Sequence, residues 1–386
     1  MLCKLTNPRE ELFIMYLFNN PSFRFSPRIL FFSLLFVSIL LFSLSPLSAQ
    51  DKNYPISVTD TLGNEVSLQE RPEKVILAGK ATLLTTNVFF LFEDTRSTLE
   101  AVGKTNQGLG DFLPYIDEHY NSAAQLSHQV GPEQILAHQP DLVIVKDFVY
   151  SNLGKQLQRM DVPVLALSLE TPEDFRDDIR TLGTLLNQKN RAEEIVNIYD
   201  SRLKGIREVT EELEESEKPS TLLLYYSVRG GETSFNIAPK NWIQTFQVEA
   251  GGGEPVWTDN HSGGGWKTVN FEQIAAWDPD HIFITSFHTA PEDYMEDILE
   301  NSQWEELRAA RNGKVEAVPA DFYSWAQPDT RWILGLQWMA TRLHPELFSD
   351  LDMRKETEEF YRELYDIEEE TFDDVVLPRL EEALSD

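Results

Sequence analysis

The chain has 386 residues, and its 64 Asp and Glu outnumber its 33 Lys and Arg, so the formal net charge is −31. So acidic a chain repels nucleic acids and anionic lipids, which argues against both as partners. The sole cysteine is Cys3. It lies in the leader described next, so the rest of the chain has no disulfide, thiolate nucleophile or cysteine metal ligand.

Residues 1–50 are predicted to be a secretory signal peptide. Two arginines precede a strongly apolar run from Ile29 to Leu44, and small residues follow it. A basic flank, an apolar core and a small-residue end are typical of such a leader. The run is short of the roughly 20 residues of a membrane span, although a retained anchor stays the alternative. We expect cleavage after Ala49 or Gln50, a periplasmic location and, without a cysteine at that site, no lipid anchor.

Two stretches of the remaining chain resemble each other. PEQILAHQPDLVIV (residues 132–145) and FEQIAAWDPDHIFI (residues 271–284) share Glu-Gln-Ile and Pro-Asp at the same positions. Each pattern predicts a short helix, a Pro-Asp turn and a buried strand of a parallel sheet. The roughly 335 residues after the leader are also typical of two domains. The sequence therefore predicts two α/β lobes of similar build.

The other apolar runs complete this scheme. Four of them predict strands: KVILAG (74–79), VPVLAL (162–167), STLLLYYS (220–227) and KVEAVPA (314–320). Between the lobes a helical stretch begins at Pro172, with Thr171 as its N-cap, and continues to about Glu217. It bridges the lobes or, alternatively, covers one of them, and residues 187–190 leave an interruption open. We predict an N-terminal lobe at 51–170, a bridge at 171–218 and a C-terminal lobe at 219–386.

An ordered set of segments resembles the substrate-binding proteins of ABC importers for ferric siderophores and cobalamin. The segments are VTDTLGNEVSLQERPEKVI (58–76), GPEQILAHQPDLVIV (131–145), VNFEQIAAWDPDHIFI (269–284), WEELRAARNGKVEAVPADFYSW (304–325) and LGLQWMATRLHPELF (334–348). The resemblance implies an α/β fold of two Rossmann-like lobes with parallel sheets. A single long helix would join them, as in class III periplasmic binding proteins, with the ligand cleft between the lobes. It also implies a monomer without a cofactor. Its partners would be an inner-membrane permease dimer with a cytoplasmic ATPase.

A glycine-rich run occupies residues 251–265 and ends before Lys267-Thr268. A phosphate-binding loop requires Gly directly before that Lys, and here Trp266 stands between them. The resemblance implies instead that this run lies at the cleft mouth, that Trp266 is a cleft aromatic and that Glu254 docks on the permease. In the N-terminal lobe, Asp117 or Glu118 is the docking candidate, and we retain Glu118. The alternative for these carboxylates is an ordinary solvated side chain.

Residues that follow the apolar runs are the ligand-binding candidates, because ligands bind beyond the carboxyl ends of strands in open α/β sheets. The predicted set is Lys80, Tyr150, Tyr226, Arg229, Trp266, His288, Tyr323, Trp325 and Arg331, with Phe148 and Phe287 beside them. Aromatic side chains mixed with a few cations are typical of a site for a bulky, partly apolar ligand with anionic groups. Core packing is the alternative for each residue taken singly.

Other kinds of function find weaker support. The seven histidines show no paired spacing, which argues against a bare-metal site, although His261 and His288 are candidates to reach the cleft. No G-x-S-x-G or H-E-x-x-H motif points to an enzyme. We therefore expect a ferric siderophore as the ligand. Cobalamin, haem, a nickel chelate or a free metal ion are the alternatives, followed by a secreted chelatase-like enzyme, since a related fold serves chelatases.

Overall fold

The structure is a computed structural model that describes residues 53–105, 107–261 and 263–384, without the side chains of Arg229 and Glu382. The predicted signal peptide and its cleavage after Ala49 or Gln50 lie outside the described residues. Among the described residues, no helix is both long enough and apolar enough to cross a bilayer.

The N-terminal part folds around a five-stranded sheet whose strands all pair in parallel. A hairpin of β1 (Ile56–Thr59) and β2 (Glu65–Leu68) precedes the sheet. The sheet consists of β3 (Val75–Leu77), β4 (Leu99–Gly103), β5 (Ala124–Leu126), β6 (Leu142–Lys146) and β7 (Val164–Leu167), in the order β5-β4-β3-β6-β7. Its helices are α1 (Thr82–Phe89), α2 (Glu118–Ser122), α3 (Pro132–Leu136), α4 (Asp147–Val149) and α5 (Lys155–Gln158). Strands β3, β6 and β7 are buried along their whole length, as apolar runs in parallel sheets are.

The predicted bridge consists of two helices, α6 (Pro172–Leu185) and α7 (Lys189–Thr210). Between them Asn187 has a left-handed backbone, with φ 59°, so the interruption left open by the sequence is present. Helix α7 contacts both halves of the molecule. Arg191 Nε donates to Leu91 O at 3.1 Å, and Arg202 Nη1 donates to Gln337 Oε1 at 3.2 Å. The domain boundaries given above stay predictions.

The C-terminal part contains a six-stranded mixed sheet. Its strands are β8 (Ser220–Arg229), β9 (Glu232–Ile237), β10 (Glu254–Pro255), β11 (Lys267–Val269), β12 (His281–Thr285) and β13 (Val315–Ala317). They lie in the order β11-β9-β8-β12-β13, and β10 pairs with β8 beside that path. Strands β8, β12 and β13 are parallel, but β9 is antiparallel to both β8 and β11. The predicted parallel strands are present, and the antiparallel β9, which the sequence did not predict, is added by a tight hairpin turn at Gly230 and Gly231, with φ 63° and 85°.

The helices of this part are α8 (Ile243–Ala250), α9 (Phe271–Trp277), α10 (Pro291–Leu299), α11 (Arg308–Arg311), α12 (Trp332–Leu343), α13 (Met353–Tyr365), α14 (Glu369–Thr371) and α15 (Glu381–Leu384). The internal repeat is confirmed as α3 with β6 and α9 with β12. The shared aspartates have a shared role. Asp141 Oδ2 accepts the backbone N–H groups of Glu73 and Lys74 at 2.8 and 2.9 Å, and Asp280 Oδ2 accepts that of Ser220 at 3.1 Å. Each aspartate thus binds the start of the neighbouring strand.

Candidate functional site

Four aromatic side chains meet at the carboxyl end of β12, whose last residue Thr285 pairs with Tyr225 of β8, and we name Tyr225, Trp242, Trp266 and Phe287 the aromatic cluster. Tyr225 stacks on Phe287 with ring centroids 4.5 Å apart. Trp266 lies 4.9 Å from Tyr225 and 5.9 Å from Phe287. Trp242, directly before α8, meets Trp266 edge-on at 5.6 Å. Tyr225 and Phe287 are buried beneath the two half-buried indoles, so the cluster offers aromatic surface where α/β sheets bind ligands.

The cluster contains Tyr225 rather than the predicted Tyr226, because consecutive side chains of a strand point to opposite faces of the sheet. Tyr226 stacks on Tyr294 of α10 at 5.0 Å and meets Phe235 at 5.9 Å. Only 7% of Tyr226 is exposed. The prediction that Tyr226 binds ligand is therefore corrected, since it packs in the core on the other face.

The loop before Trp266 is held by His261. Gly263 N donates to His261 Nδ1 at 3.2 Å, and His261 Nε2 lies 2.7 Å from Gly265 O. Because Nδ1 accepts, Nε2 carries the proton that is donated to the carbonyl. Both ring nitrogens are thus used within the loop. His261, predicted as a residue that could reach the cleft, positions Trp266 instead.

Arg331 and Trp325, both predicted to bind ligand, are buried in an ion-pair network. Arg331 Nε donates to the two carboxylate oxygens of Asp321 at 2.7 and 3.0 Å, and Nη1 donates to Asp329 Oδ2 at 3.3 Å. Its Nη2 donates to Tyr361 OH at 2.9 Å, and Trp325 Nε1 donates to Asp321 Oδ2 at 3.1 Å. Burial lowers the pKa of Arg331, but Asp321 and the other anionic partners outweigh it and leave that pKa above its usual value. Both predictions are corrected, because neither side chain has exposed surface.

The remaining predicted residues are dispersed. Tyr150 is buried in the N-terminal core and donates to Gln158 Oε1 at 2.5 Å, so its prediction is also corrected. Lys80 is exposed between β3 and α1, and His288 is exposed just after β12. Arg229 is the last residue of β8, and its backbone pairs with that of Glu232. Its side chain is not among those that the structure describes.

Tyr323 lies beside a cavity of about 430 Å³ at the carboxyl end of β4. Its hydroxyl is 3.4 Å from Asp111 Oδ1, and burial raises the pKa of Asp111. The cavity wall is tied to the C-terminal part, because Gly108 N donates to Phe287 O at 2.9 Å and Leu109 N donates to Phe322 O at 2.7 Å. Phe287 therefore links this cavity to the aromatic cluster. A groove of about 670 Å³ lies along α7, α12 and α13, away from the carboxyl ends of the strands.

The two docking candidates are exposed carboxylates. Glu254 pairs through β10 with Ser220, at the amino end of β8. The glycine-rich run therefore spans the height of the sheet, and only its Trp266 end reaches the aromatic cluster. Glu118 begins α2, while Asp117 is the N-cap whose Oδ1 accepts His119 N at 2.7 Å. The Asp117 carboxylate thus already caps its own helix, whereas the Glu118 carboxylate takes no part in that capping bond.

Sequence reasoning missed Tyr225 and Trp242. The pair Tyr225-Tyr226 gave no indication of which ring faces the cleft, and Trp242 lies 24 positions before Trp266 in the chain. No group of three or more His, Cys, Asp or Glu side chains able to hold a metal ion occurs within the described ranges.

Comparison with known proteins gives a consistent assignment. A family model described as periplasmic binding protein matches residues 115–322. The molybdate-binding protein MolA of Haemophilus influenzae is 24% identical over 86% of this chain and 95% of its own length. The achromobactin-binding periplasmic protein of Dickeya dadantii is 23% identical over 60% of this chain and 77% of its own length.

A solved structure shows the same fold. The ABC-type Fe³⁺-hydroxamate transport protein of Saccharomonospora viridis superposes with a TM-score of 0.56, at 22% identity, over 76% of this chain and 99% of its own. These relatives are solute-binding proteins of ABC transporters rather than enzymes. With two α/β sheets, connecting helices and a matching family model, this chain belongs to the periplasmic binding protein family, the solute-binding components of ABC transporters.

Proposed function

We propose that this protein captures a ferric-siderophore-type chelate and delivers it to an inner-membrane permease with a cytoplasmic ATPase. The observation that carries the proposal is the aromatic cluster. Trp242 and Trp266 are half-buried and in edge contact at 5.6 Å, at the sheet edge where such folds bind ligands. Aromatic faces with adjacent exposed surface suit a bulky ligand that has apolar or ring-bearing parts.

The expected charge of the ligand follows from the predicted cationic residues that are exposed in the structure. Arg331 is fully paired inside the molecule, whereas Lys80 is exposed at the carboxyl end of β3. An exposed ammonium favours an anionic oxygen on the ligand. The names of two relatives, for achromobactin and for Fe³⁺-hydroxamate transport, support a chelate.

A small oxyanion is the second candidate. MolA, which is similar to this chain over 86% of its length, is named for molybdate. Lys80 precedes helix α1, whose first residue is Thr82, and helix N-termini favour anions because their first N–H groups have no partner within the helix. An oxyanion would use this side of the cleft and leave the aromatic cluster uncontacted.

The permease contacts are also part of the proposal. Glu254 and Glu118 are exposed on different lobes, so they suit docking on permease arginines, where rim charges govern partner choice and association rate. Removal of residues 1–50 would release the chain into the periplasm as a monomer without a lipid anchor.

Tryptophan fluorescence tests the ligand directly. Protein purified after expression of the full chain is titrated with ferric catecholate, hydroxamate and citrate chelates, cobalamin, haem, molybdate, and free Ni²⁺, Zn²⁺ and Mn²⁺. The proposal expects saturable quenching by one ferric chelate, because two of the eight tryptophans lie in the cluster. Saturable binding of molybdate alone would favour the second candidate. Tight binding of a free ion with no response to any chelate would refute both.

A further inference from the structure

Strands β8 and β9 extend beyond their neighbours in the C-terminal sheet. β8 pairs with β12 from Thr221 to Tyr225, and β9 pairs with β11 from Phe235 to Ile237. Within the described part of the chain, residues 227–229 and 232–234 pair with each other and with no third strand. Residues 227–234 therefore form a two-stranded ribbon, which projects about 10 Å beyond the sheet at roughly 3.3 Å per residue. We name it the ribbon.

The ribbon rises beside the aromatic cluster. The ribbon starts just beyond the last pair of β8 with β12, where Tyr225 and Phe287 stack at 4.5 Å. Side chains two residues apart lie on the same face of a strand, so Ser227 continues the face of Tyr225. Ser234 lies opposite Ser227 and shares that face. The inner face of the ribbon is thus the outward continuation of the cluster.

The ribbon is braced rather than loose. Gly230 and Gly231 both have positive φ, which gives the turn type whose twist matches that of paired strands. Asn236 Nδ2 donates to Tyr225 O at 3.1 Å and to Ser227 Oγ at 3.3 Å. Thr268 Oγ1 on β11 in turn donates to Asn236 Oδ1 at 2.7 Å. These bonds hold the base of the ribbon against the sheet.

A hydroxyl group on the inner face of the ribbon can donate a hydrogen bond to a solute. Ser227 Oγ and Ser234 Oγ lie 2.9 Å apart, and one of them donates to the other. Each hydroxyl carries one hydrogen, so the pair uses one and leaves one. Among the described residues, the second hydrogen has Ser227 O as an acceptor, which lies 3.5 Å from Ser234 Oγ, at the outer limit for a hydrogen bond. Ser234 is half-buried and therefore reaches solvent.

We propose that the ribbon is a wall of the solute site that selects bulky, oxygen-rich solutes, with the Ser227–Ser234 pair donating a hydrogen bond to a solute oxygen. This inference rests on the proposed function. A solute of chelate size that lies against the aromatic cluster also covers the inner face of the ribbon. We expect a four-oxygen anion to cover less of this combined surface.

A shortened ribbon tests the wall. Deleting Val228-Arg229 together with Glu232-Thr233 leaves Ser227-Gly230-Gly231-Ser234 and moves the turn by two residue pairs. Because two residues are removed from each strand, every remaining side chain stays on its face and the alternation of hydrogen-bonded and non-hydrogen-bonded pairs is preserved. The ribbon becomes about 7 Å shorter. We expect the dissociation constant to rise at least tenfold, by calorimetry, for whichever of ferric trihydroxamate and ferric tricatecholate the wild type binds. The unfolding temperature should stay unchanged.

Point variants test the hydroxyl pair without altering the backbone. Ser227 is only 6% exposed, so Ser234 provides the hydroxyl of the pair that reaches a solute. Ser234→Ala should therefore weaken chelate binding about fivefold, as expected for one lost hydrogen bond. Thr233→Ala is the matched control, because Thr233 is exposed on the opposite face of the same strand, and it should bind as the wild type does.

Each outcome decides between the claims. Unchanged chelate affinity in both the shortened ribbon and Ser234→Ala would overturn the wall while leaving the proposed function intact. A wild type that binds neither chelate would overturn the proposed function and the wall with it. If wild-type binding of molybdate were lost on shortening, selection of bulky solutes would be refuted. If the shortened chain does not fold, equal affinities of Ser234→Ala and Thr233→Ala would be sufficient to reject the proposal.

Discussion

Replacing Arg331 by methionine should destabilise the fold strongly and leave solute binding almost unchanged. The guanidinium makes two bonds to Asp321, one to Asp329 and one to Tyr361, and none of its surface is exposed. Without it, two buried carboxylates lose their counter-ion. Removing one partner of a buried ion pair costs about 3–5 kcal/mol, because an uncompensated charge remains inside the protein. Trp325 Nε1 still donates to Asp321, so we expect a value near the lower end of that range.

Urea unfolding followed by circular dichroism measures this loss, and calorimetry with the ferric chelate that the wild type binds measures affinity. Adding Asp321→Asn to Arg331→Met removes one of the stranded charges and should restore part of the lost stability, which a double-mutant cycle quantifies. Arg331→Lys should lie between the wild type and Arg331→Met, since an ammonium cannot reproduce the forked contacts. The reasoning would be refuted if Arg331→Met unfolded at the wild-type urea concentration but no longer bound the chelate.

Three further predictions follow from single residues. Trp266→Ala should raise the dissociation constant for the chelate about tenfold, as expected for a lost aromatic contact. Tyr226→Phe is the control and should leave the dissociation constant unchanged. Equal effects of the two substitutions would contradict the placement of the aromatic cluster. Burial raises the pKa of Asp178 from 3.8 to about 7, so the unfolded chain loses this proton at a lower pH than the folded protein does. The free energy of unfolding should therefore fall as the pH rises from about 4 to 7, by up to about 4 kcal/mol. Asp178→Asn, compared with the wild type in urea at pH 4 and pH 7, should remove that part of the pH dependence, and identical slopes would argue against it. Glu254→Arg should abolish uptake of the radiolabelled chelate by cells without changing its dissociation constant, and weakened binding in the purified protein would contradict a docking role.

The architecture was accessible from the sequence because it depends on local patterns. The repeat of a short helix, a Pro-Asp turn and an apolar strand is a feature of neighbouring residues, and both copies fold as predicted. The aspartates of that repeat bind the next strand in the same way in both halves, at distances between 2.8 and 3.1 Å. The mixed C-terminal sheet was missed because a glycine pair reverses the chain within an otherwise continuous strand pattern.

The site was less accessible because it depends on which face and which depth a side chain occupies. Tyr225 and Tyr226 are chemically alike, and only the packing of α10 against one face of β8 decides that Tyr226 is core. Arginine is a residue type that often binds anionic ligands, yet Arg331 lies in the interior, where Asp321 and Asp329 neutralise its charge. Trp242, the N-cap residue of α8, contacts Trp266, the residue before β11, and the sequence pattern did not connect these two elements.

The location of iron in a crystal of the protein with a ferric chelate shows whether the solute binds at the aromatic cluster. Anomalous scattering at the iron edge shows the metal without assumptions about the chelator. We expect one strong peak within about 10 Å of the Trp266 ring, a distance set by stacking of a ligand arm on an aromatic face at contact range. A peak in the cavity beside Tyr323 and Asp111, or in the groove along α7, would contradict the claim that the aromatic cluster receives the solute.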